Sequence, residues 1–216
     1  DHVAFLYRYL NKPRINETVS TDTAFARARD VSGATCMQVF YGIISHYINV
    51  YGMRGEGEGP DRFDDLLREE GIPHTIRSDN AKMQRYGHEF MKKCRQNLIA
   101  AEYMEPYHPQ QNPVELRAIK WIKTGIKVLR MRTGAPATTW FQAAEYLADV
   151  HNICSDETLA WRTPYEIRKC HMPDISPYLQ FMFYERVYYL DPNSKFPETQ
   201  ELEGRWLGVA KNVGDV

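Results

Sequence analysis

The order of the apolar segments constrains the fold of this chain more than any other feature. Three β-type segments joined by short connections lie at residues 18–28, 35–44 and 46–53, which predicts an antiparallel meander. Helical and strand patterns then alternate, with helices predicted at 61–70 and 82–97 and strands at 74–79 and 99–104. This order predicts an α/β fold with a mixed five-stranded sheet that begins antiparallel, continues through crossovers and is flanked by helices.

The composition excludes several classes of protein. With 43% apolar and 25% charged residues the chain has the profile of a soluble globular protein. No apolar run approaches the roughly 20 residues that span a bilayer, and no signal-peptide pattern is present, so a membrane or secreted role is not expected. The four cysteines form no Cys-x-x-Cys pair, which predicts the reduced thiols of an intracellular protein.

The charge is segregated along the chain. The formal net charge of −1 argues against a strongly basic nucleic-acid binder. However, residues 56–70 hold seven acids against two arginines, whereas residues 112–133 hold six basic residues against one acid. A basic face is therefore expected on a nearly neutral protein.

Two acidic residues stand at positions that favour chemistry. Asp79 follows a predicted strand, and Glu115 begins a predicted helix after a proline-rich loop, with 35 residues between them. An isolated acid is nearly always a solvated surface charge. Acids at the end of a strand and the start of a helix can nevertheless converge on one divalent cation.

The helix predicted over 114–131 aims Glu115 at the sheet. At 100° per residue, Ile119, Ile122, Ile126 and Leu129 share one face, and Glu115 lies one turn ahead of Ile119 on that face. A charge at the head of a core-facing stripe is costly unless it is paired or bound to a cation.

A row of basic residues follows the apolar stripe of this helix: Lys120, Lys123, Lys127 and Arg130. For an arbitrary helix such a row is a solubilising face. Beside two convergent acids, the row favours a polyanionic substrate.

The rest of the chain predicts a small appendage. A helix is expected over 140–153, with His151 in a structural role, a short helix begins within 162–166, and strands are predicted over 185–190 and 205–211. We expect a lead-in or linker at 1–16, the core at 17–155, and a linker helix with a partial β-rich C-terminal segment at 156–216. Because the chain does not begin with Met, we expect an excerpt of a longer polypeptide.

Three short motifs, taken in order, resemble a known signature. They are Thr21-Asp22-Thr23, Ser78-Asp79-Asn80 and Pro109-Gln110-Gln111-Asn112-Pro113-Val114-Glu115. Together they resemble the D,D-35-E signature of retroviral and retrotransposon integrases, and most of all copia-type retrotransposon integrase cores. The flanking Tyr107-His108 pair, the Trp161-Arg162-Thr163-Pro164-Tyr165-Glu166 segment and Gly204-Arg205-Trp206-Leu207-Gly208 agree with this. The likeness runs from about Thr18 to the carboxyl end.

The resemblance implies an RNase H-like fold and an enzyme. Asp22, Asp79 and Glu115 would be catalytic and would hold two Mg²⁺ or Mn²⁺ ions, with Asp22 bridging both. The implied reactions are 3′-end processing and strand transfer of retrotransposon DNA. The implied partners are element-end DNA, target DNA and further copies of the chain, in a polyprotein-derived enzyme that is intracellular and acts in the nucleus.

The resemblance also implies supporting roles. Gln111 would contact DNA near the ions, Lys120, Lys123 and Lys127 would follow the DNA backbone, and Asn80 would hold the loop after Asp79. The chain departs from the family pattern at Pro113, where many relatives have Gly, and at Leu116, where a basic residue is common. The zinc-binding His-His-Cys-Cys domain of such enzymes would lie upstream of Asp1.

Two other functions stay open at this point. One is an inactive transposon-derived module that binds DNA and self-associates. The other is an RNase H-like nuclease acting on RNA in hybrids. Asp22 rests on the resemblance alone, since neither spacing nor composition singles it out.

Overall fold

A computed structural model describes residues 12–104, 114–191, 193–194 and 200–210, and within them it leaves the side chains at 79–87, 103–104 and 115–116 undescribed. Seven strands and five α-helices are assigned in these ranges. The strands are β1 (Arg14–Phe25), β2 (Cys36–Gly42), β3 (Ile48–Met53), β4 (Ile72–Asp79), β5 (Ala100–Met104), β6 (Arg186–Leu190) and β7 (Glu201–Arg205). The helices are α1 (Gly59–Glu69), α2 (Asn80–Gln96), α3 (Lys120–Thr133), α4 (Trp140–Ile153) and α5 (Pro164–Lys169).

The first five strands form one mixed sheet in the order β3-β2-β1-β4-β5. The β1–β2 and β2–β3 pairs are antiparallel, whereas β1–β4 and β4–β5 are parallel. Parallel neighbours need crossover connections, and α1 and α2 supply them. The predicted mixed five-stranded α/β architecture is therefore confirmed.

Strand β1 begins earlier than the sequence pattern predicts. It starts at Arg14 instead of Thr18, because Arg14 and Ile15 pair with Ile72 and Pro73 of β4. The register shifts between Ile15 and Thr18, which marks an irregularity in the strand. The lead-in predicted over 1–16 thus includes the start of the central strand, and residues 1–11 lie outside the described part of the chain.

The sheet separates two apolar layers. On one face, Phe63, Leu66 and Leu67 of α1 are fully buried against Val19 and Ile76 of the sheet. These α1 residues recur at helical spacing among acids, which explains the surface helix predicted there. On the other face, α3 and α4 cover β1, β2 and β3. The side chains that fill this second layer include Val39, Val50, Ala118, Ile122, Trp140, Phe141 and Ala144.

The C-terminal segment forms an antiparallel hairpin from β6 and β7. The strand predicted over 205–211 is wrong, because β7 spans Glu201–Arg205 and residues 206–210 are not in a strand. Trp206 instead packs edge-on against Tyr146 of α4, with ring centroids 5.7 Å apart. Trp206 is therefore an apolar residue that packs on a helix and not part of a strand.

Two further observations concern the cysteines and the helices. None of the four cysteines forms a disulfide, and burial raises the pKa of Cys94 to about 12, so that its thiol stays protonated. Throughout the described ranges, every helix is too short or too polar to cross a bilayer.

Candidate active site

The sheet register brings two of the predicted catalytic acids side by side. In the parallel pair of β1 and β4, Thr21 is opposite Ser78. Asp22 and Asp79 are the next residues of these two strands, and β4 ends at Asp79. Neighbouring parallel strands lie about 4.8 Å apart, so the backbone places Asp22 and Asp79 beside each other at one end of the sheet.

The side chain of Asp22 is half-buried and its orientation is fixed locally. One carboxylate oxygen, Oδ1, accepts a hydrogen bond of 2.7 Å from the backbone N–H of Thr23. The cross-strand partner of Asp22 is Val39, which is fully buried. Asp22 therefore belongs to the face of the sheet that the α3–α4 layer covers, because side chains of paired residues share a face.

The chain segment that carries Glu115 covers that same face. Val114 and Ala118 are fully buried in one cluster with Ala24 of β1 and Val39 of β2. Ala24 lies two residues beyond Asp22 and hence on the same side of the strand. The backbone at Glu115 is thus held against the strand that carries Asp22, and the side chain of Glu115 lies outside the described set.

The winding of this segment corrects the phase predicted for Glu115. Residues Val114–Ile119 form a π-helical turn that continues into α3. The 100° rotation per residue assumed from the sequence does not hold there, so Glu115 is not simply one α-turn ahead of Ile119. The positions that face the core are Val114, Ala118, Ile119 and Ile122. Short π-helical turns are rare and occur frequently at functional sites.

A polar ladder on the opposite face fixes the β1–β2 register beside Asp22. Thr23 Oγ1 donates to Gln38 Oε1 at 2.8 Å, and Gln38 Nε2 donates to Thr21 Oγ1 at 2.5 Å. The hydroxyl of Thr21 also donates to the carbonyl of Val39 at 3.0 Å. Gln38 is not among the predicted site residues, although a polar residue that faces two threonines across a predicted hairpin indicates such a contact.

The donor set suits a hard divalent cation. Carboxylate oxygens are the ligands that Mg²⁺ and Mn²⁺ prefer. The register of β1 and β4 brings positions 22 and 79 to one end of the sheet, and the segment that carries Glu115 packs against β1. Among the described side chains, no cluster of three or more His, Cys, Asp or Glu forms a metal site. That search did not include two of the three predicted ligands, because the side chains of Asp79 and Glu115 are not described.

The remaining predicted site residues are placed as follows. Lys120, Lys123 and Lys127 are exposed on α3, whereas Arg130, the fourth residue of the predicted basic row, is half-buried. Asn80 is the first residue of α2, and its side chain is not described. Gln111 lies outside the described residues.

A histidine network behind α3 has a structural role. His151 Nε2 lies 3.0 Å from the carbonyl oxygen of His46, and burial lowers the pKa of His151. His46 Nδ1 lies 3.1 Å from Asp156 Oδ2. Hydrogen bonds from Thr158, together with the bond to His46, lower the pKa of Asp156 to about 2. These contacts join the β2–β3 turn to the segment after α4 and agree with the structural role predicted for His151.

Comparison with known proteins gives a match at the level of structure. No protein-family model matches the chain, and neither does any curated protein. The HTLV-2 integrase catalytic core domain in complex with magnesium, in a trimeric form, matches with a TM-score of 0.55 and 16% identity over 73% of this chain and 99% of that one.

Two further solved structures extend the match. The catalytic core domain of BIV integrase matches with a TM-score of 0.53 and 18% identity over 71% of this chain and 94% of that one. A simian T-cell lymphotropic virus intasome in complex with the PP2A regulatory subunit B56 gamma matches with a TM-score of 0.57 and 15% identity over 90% of this chain and 72% of that one. At these identities the likeness concerns the fold: the chain has the RNase H-like α/β fold of retroviral integrase catalytic cores.

Proposed function

We propose that this chain is an integrase-type polynucleotidyl transferase that carries out metal-dependent 3′-end processing and strand transfer of retrotransposon DNA. The observation that carries the proposal is the register of β1 and β4, which sets Asp22 beside Asp79 under the segment that contains Glu115. The three sequence motifs and their order support the copia-type assignment within this class.

Asp22, Asp79 and Glu115 are the residues that would hold two Mg²⁺ or Mn²⁺ ions. Two ions bound there would activate the attacking oxygen and stabilise the departing oxygen in an in-line displacement at phosphorus. The bond from the Thr23 N–H holds one oxygen of Asp22, which reduces the reorganisation needed when a cation binds. The similar HTLV-2 core was solved in complex with magnesium, which supports the choice of cation.

The proposed partners are element-end DNA and target DNA. Lys120, Lys123 and Lys127 would contact phosphates and add affinity without reading sequence, Gln111 would contact DNA near the ions, and Asn80 would hold the loop after Asp79. Similar cores occur in dimeric and trimeric forms, which supports a homo-oligomer. Action in the nucleus, a core at 17–155 and a polyprotein origin complete the proposal.

The test is a strand-transfer assay with Mn²⁺ and labelled oligonucleotides that end in candidate element termini. Wild-type protein is expected to join the ends to target DNA, and Asp79→Asn is expected to lose at least about a thousandfold of the rate, since metal ligands of this kind act as a unit. Asp61→Asn is the matched control, because Asp61 is an acid on α1 whose side chain is 74% exposed.

The assay also separates the alternatives. Salt-sensitive DNA binding without any joined product would favour the inactive DNA-binding module. Cleavage of the RNA strand of a hybrid without strand joining would favour the nuclease.

A further inference from the structure

We propose that the exposed segment at residues 25–29 is a second DNA-contacting surface, in which Arg27 and Arg29 bind backbone phosphates and Phe25 stacks on an unpaired base. This inference rests on the proposed function, because it takes DNA as the ligand. It adds a surface on the loop between β1 and β2 to the basic row on α3.

The segment begins close to the acidic site. Phe25 is the last residue of β1 and lies three residues beyond Asp22. At about 3.3 Å per residue this separation is about 10 Å, which equals about three base-pair steps of duplex DNA. Successive residues alternate between the two sides of a strand, so Phe25 lies on the side of β1 opposite to Asp22. A DNA strand bound at Asp22 would therefore reach the segment by passing around the end of β1.

Three of the five side chains in the segment are exposed. Phe25 is 57% exposed, and Arg27 and Arg29 are exposed at the following alternate positions, whereas Ala24 and Asp30 on either side are buried. The exposed part of the Phe25 ring gains free energy when a flat partner covers it.

The loop that carries these side chains is held in place. The carboxylate of Asp30, the one acid between residues 26 and 35, accepts bonds of 2.6 Å from the Ala34 N–H and 2.9 Å from Gln142 Nε2 of α4. The Val31 N–H donates to the carbonyl of Thr138 at 2.8 Å. The backbone is thus fixed before any ligand arrives, which lowers the entropy cost of binding.

The two arginines could bind an anionic ligand without first breaking an ion pair to a described side chain. Neither Arg27 nor Arg29 forms an ion pair with a described side chain, whereas Arg62, Arg77 and Arg168 each lie within 3.5 Å of a carboxylate. Guanidinium groups match phosphate geometry, and an aromatic ring beside them adds stacking that tolerates any base. This combination fits an unpaired DNA strand better than a protein partner.

The test measures DNA affinity without chemistry. DNA binding by the Asp79→Asn protein is measured by fluorescence anisotropy at about 50 to 200 mM salt, because phosphate contacts change the affinity strongly over this range. The two probes are a blunt duplex and a duplex that carries a 3′ overhang. Arg27→Ala/Arg29→Ala is expected to reduce the slope of log affinity against log salt by about 1.4 to 1.8, since each of the two lost phosphate contacts removes about 0.7 to 0.9.

Matched variants distinguish the surface from a general loss of charge. Lys92→Ala/Arg95→Ala is expected to leave the salt slope unchanged. It removes two exposed cations near the end of α2, and this end of the helix leads into the end of the sheet that is far from Asp79. Phe25→Leu is expected to weaken overhang binding about tenfold with little effect on the blunt duplex, because stacking of a base contributes about 1–3 kcal/mol. Phe25→Tyr is expected to restore overhang binding.

The outcomes separate this inference from the proposed function. An unchanged salt slope in Arg27→Ala/Arg29→Ala, with strand transfer intact in the parent protein, would overturn the second surface and leave the function standing. A reduced slope in a protein that never joins strands would support the surface and count against the transferase.

Discussion

The buried pair of Glu17 and Arg168 offers a quantitative test of how α5 is fastened to the strand that carries Asp22. Both side chains are almost completely buried, at 6% and 4% exposure, with Glu17 Oε1 lying 2.9 Å from Arg168 Nε. Glu17 Oε2 accepts the backbone N–H groups of Ile44 and Ser45 at 2.9 Å each, and Oε1 accepts the Ser45 hydroxyl at 2.7 Å.

The arginine is less well satisfied than the glutamate. Although the Nε–Oε1 distance is short, Nε and Nη1 make no hydrogen bond to a described residue, so the contact is an ion pair without a well-directed hydrogen bond. The guanidinium carbon also lies 5.2 Å from the centre of the Tyr47 ring. Glu17 therefore accepts most of the polar contacts in this network, and Arg168 supplies only one of them.

This asymmetry sets the expected magnitudes. Glu17→Ala leaves a buried guanidinium without a counter-charge, which costs about 3–5 kcal/mol, and orphans the buried Ser45 N–H, which costs about 1–3 kcal/mol. Since such costs overlap, we expect a loss of about 5 kcal/mol in the free energy of unfolding. Arg168→Met leaves Glu17 with all three hydrogen bonds and keeps the packing of the stem, so we expect a loss of about 2 kcal/mol.

Urea unfolding at neutral pH, followed by circular dichroism, measures both values. Arg162→Met is the matched control, because its partner Glu166 lies 2.9 Å away in an ion pair whose arginine is half exposed; we expect a change below about 1 kcal/mol there. Glu17 is not the better-satisfied partner if Arg168→Met destabilises the protein as much as Glu17→Ala does, or if Glu17→Ala lowers the free energy of unfolding by less than about 2 kcal/mol.

Three further predictions concern the edges of the core. Asn152 binds both the N–H and the carbonyl of Ile48, at 2.9 and 2.8 Å, so Asn152→Ala should lower the free energy of unfolding by about 2 kcal/mol, measured by urea unfolding; no change would contradict the assignment. A Cβ at Gly52 would lie 2.9 Å from Cε1 of the buried Phe141, so Gly52→Ala should cost about 1–3 kcal/mol, seen as a lower Tm, whereas Gly57→Ala, where a Cβ meets open space, should not. The pKa of Asp156 is depressed from 3.8 to about 2 in the folded protein, so its contribution to stability is present above pH 3.8 and is lost as the pH falls through 2; Asp156→Asn should flatten the pH dependence of Tm in that window, and an unaltered profile would exclude this role.

The sequence predicts those helices whose buried face is marked by the spacing of their own apolar residues. The helix Trp140–Ile153 was predicted with its observed bounds, and the buried stripe of Phe63, Leu66 and Leu67 was readable from helical spacing. The start of β1 was not readable, because the pairing that makes residues 14–17 a strand comes from β4, and the partner that buries Glu17 is Arg168 of α5. Tertiary contacts of this kind leave no local signal.

The residues of the candidate site also differ in how far local sequence marks them. Asp79 and Glu115 were marked by their positions at the end of a strand and the start of a helix, whereas Asp22 came only from resemblance to a family signature. The structure adds a physical reason for Asp22, because the parallel register of β1 and β4 sets it beside Asp79. The π-helical turn at Val114–Ile119 could not be predicted, since an apolar pattern over six residues does not distinguish α from π winding.

Mn²⁺ binding followed by electron paramagnetic resonance shows whether Asp22, Asp79 and Glu115 form one cation site. We expect the wild-type protein to bind Mn²⁺ at this site, and Asp22→Asn, Asp79→Asn and Glu115→Gln each to weaken the binding by about tenfold or more. Asp61→Asn is expected to bind Mn²⁺ as the wild type does. Equal Mn²⁺ binding by the wild type and all three active-site variants would contradict a shared cation site.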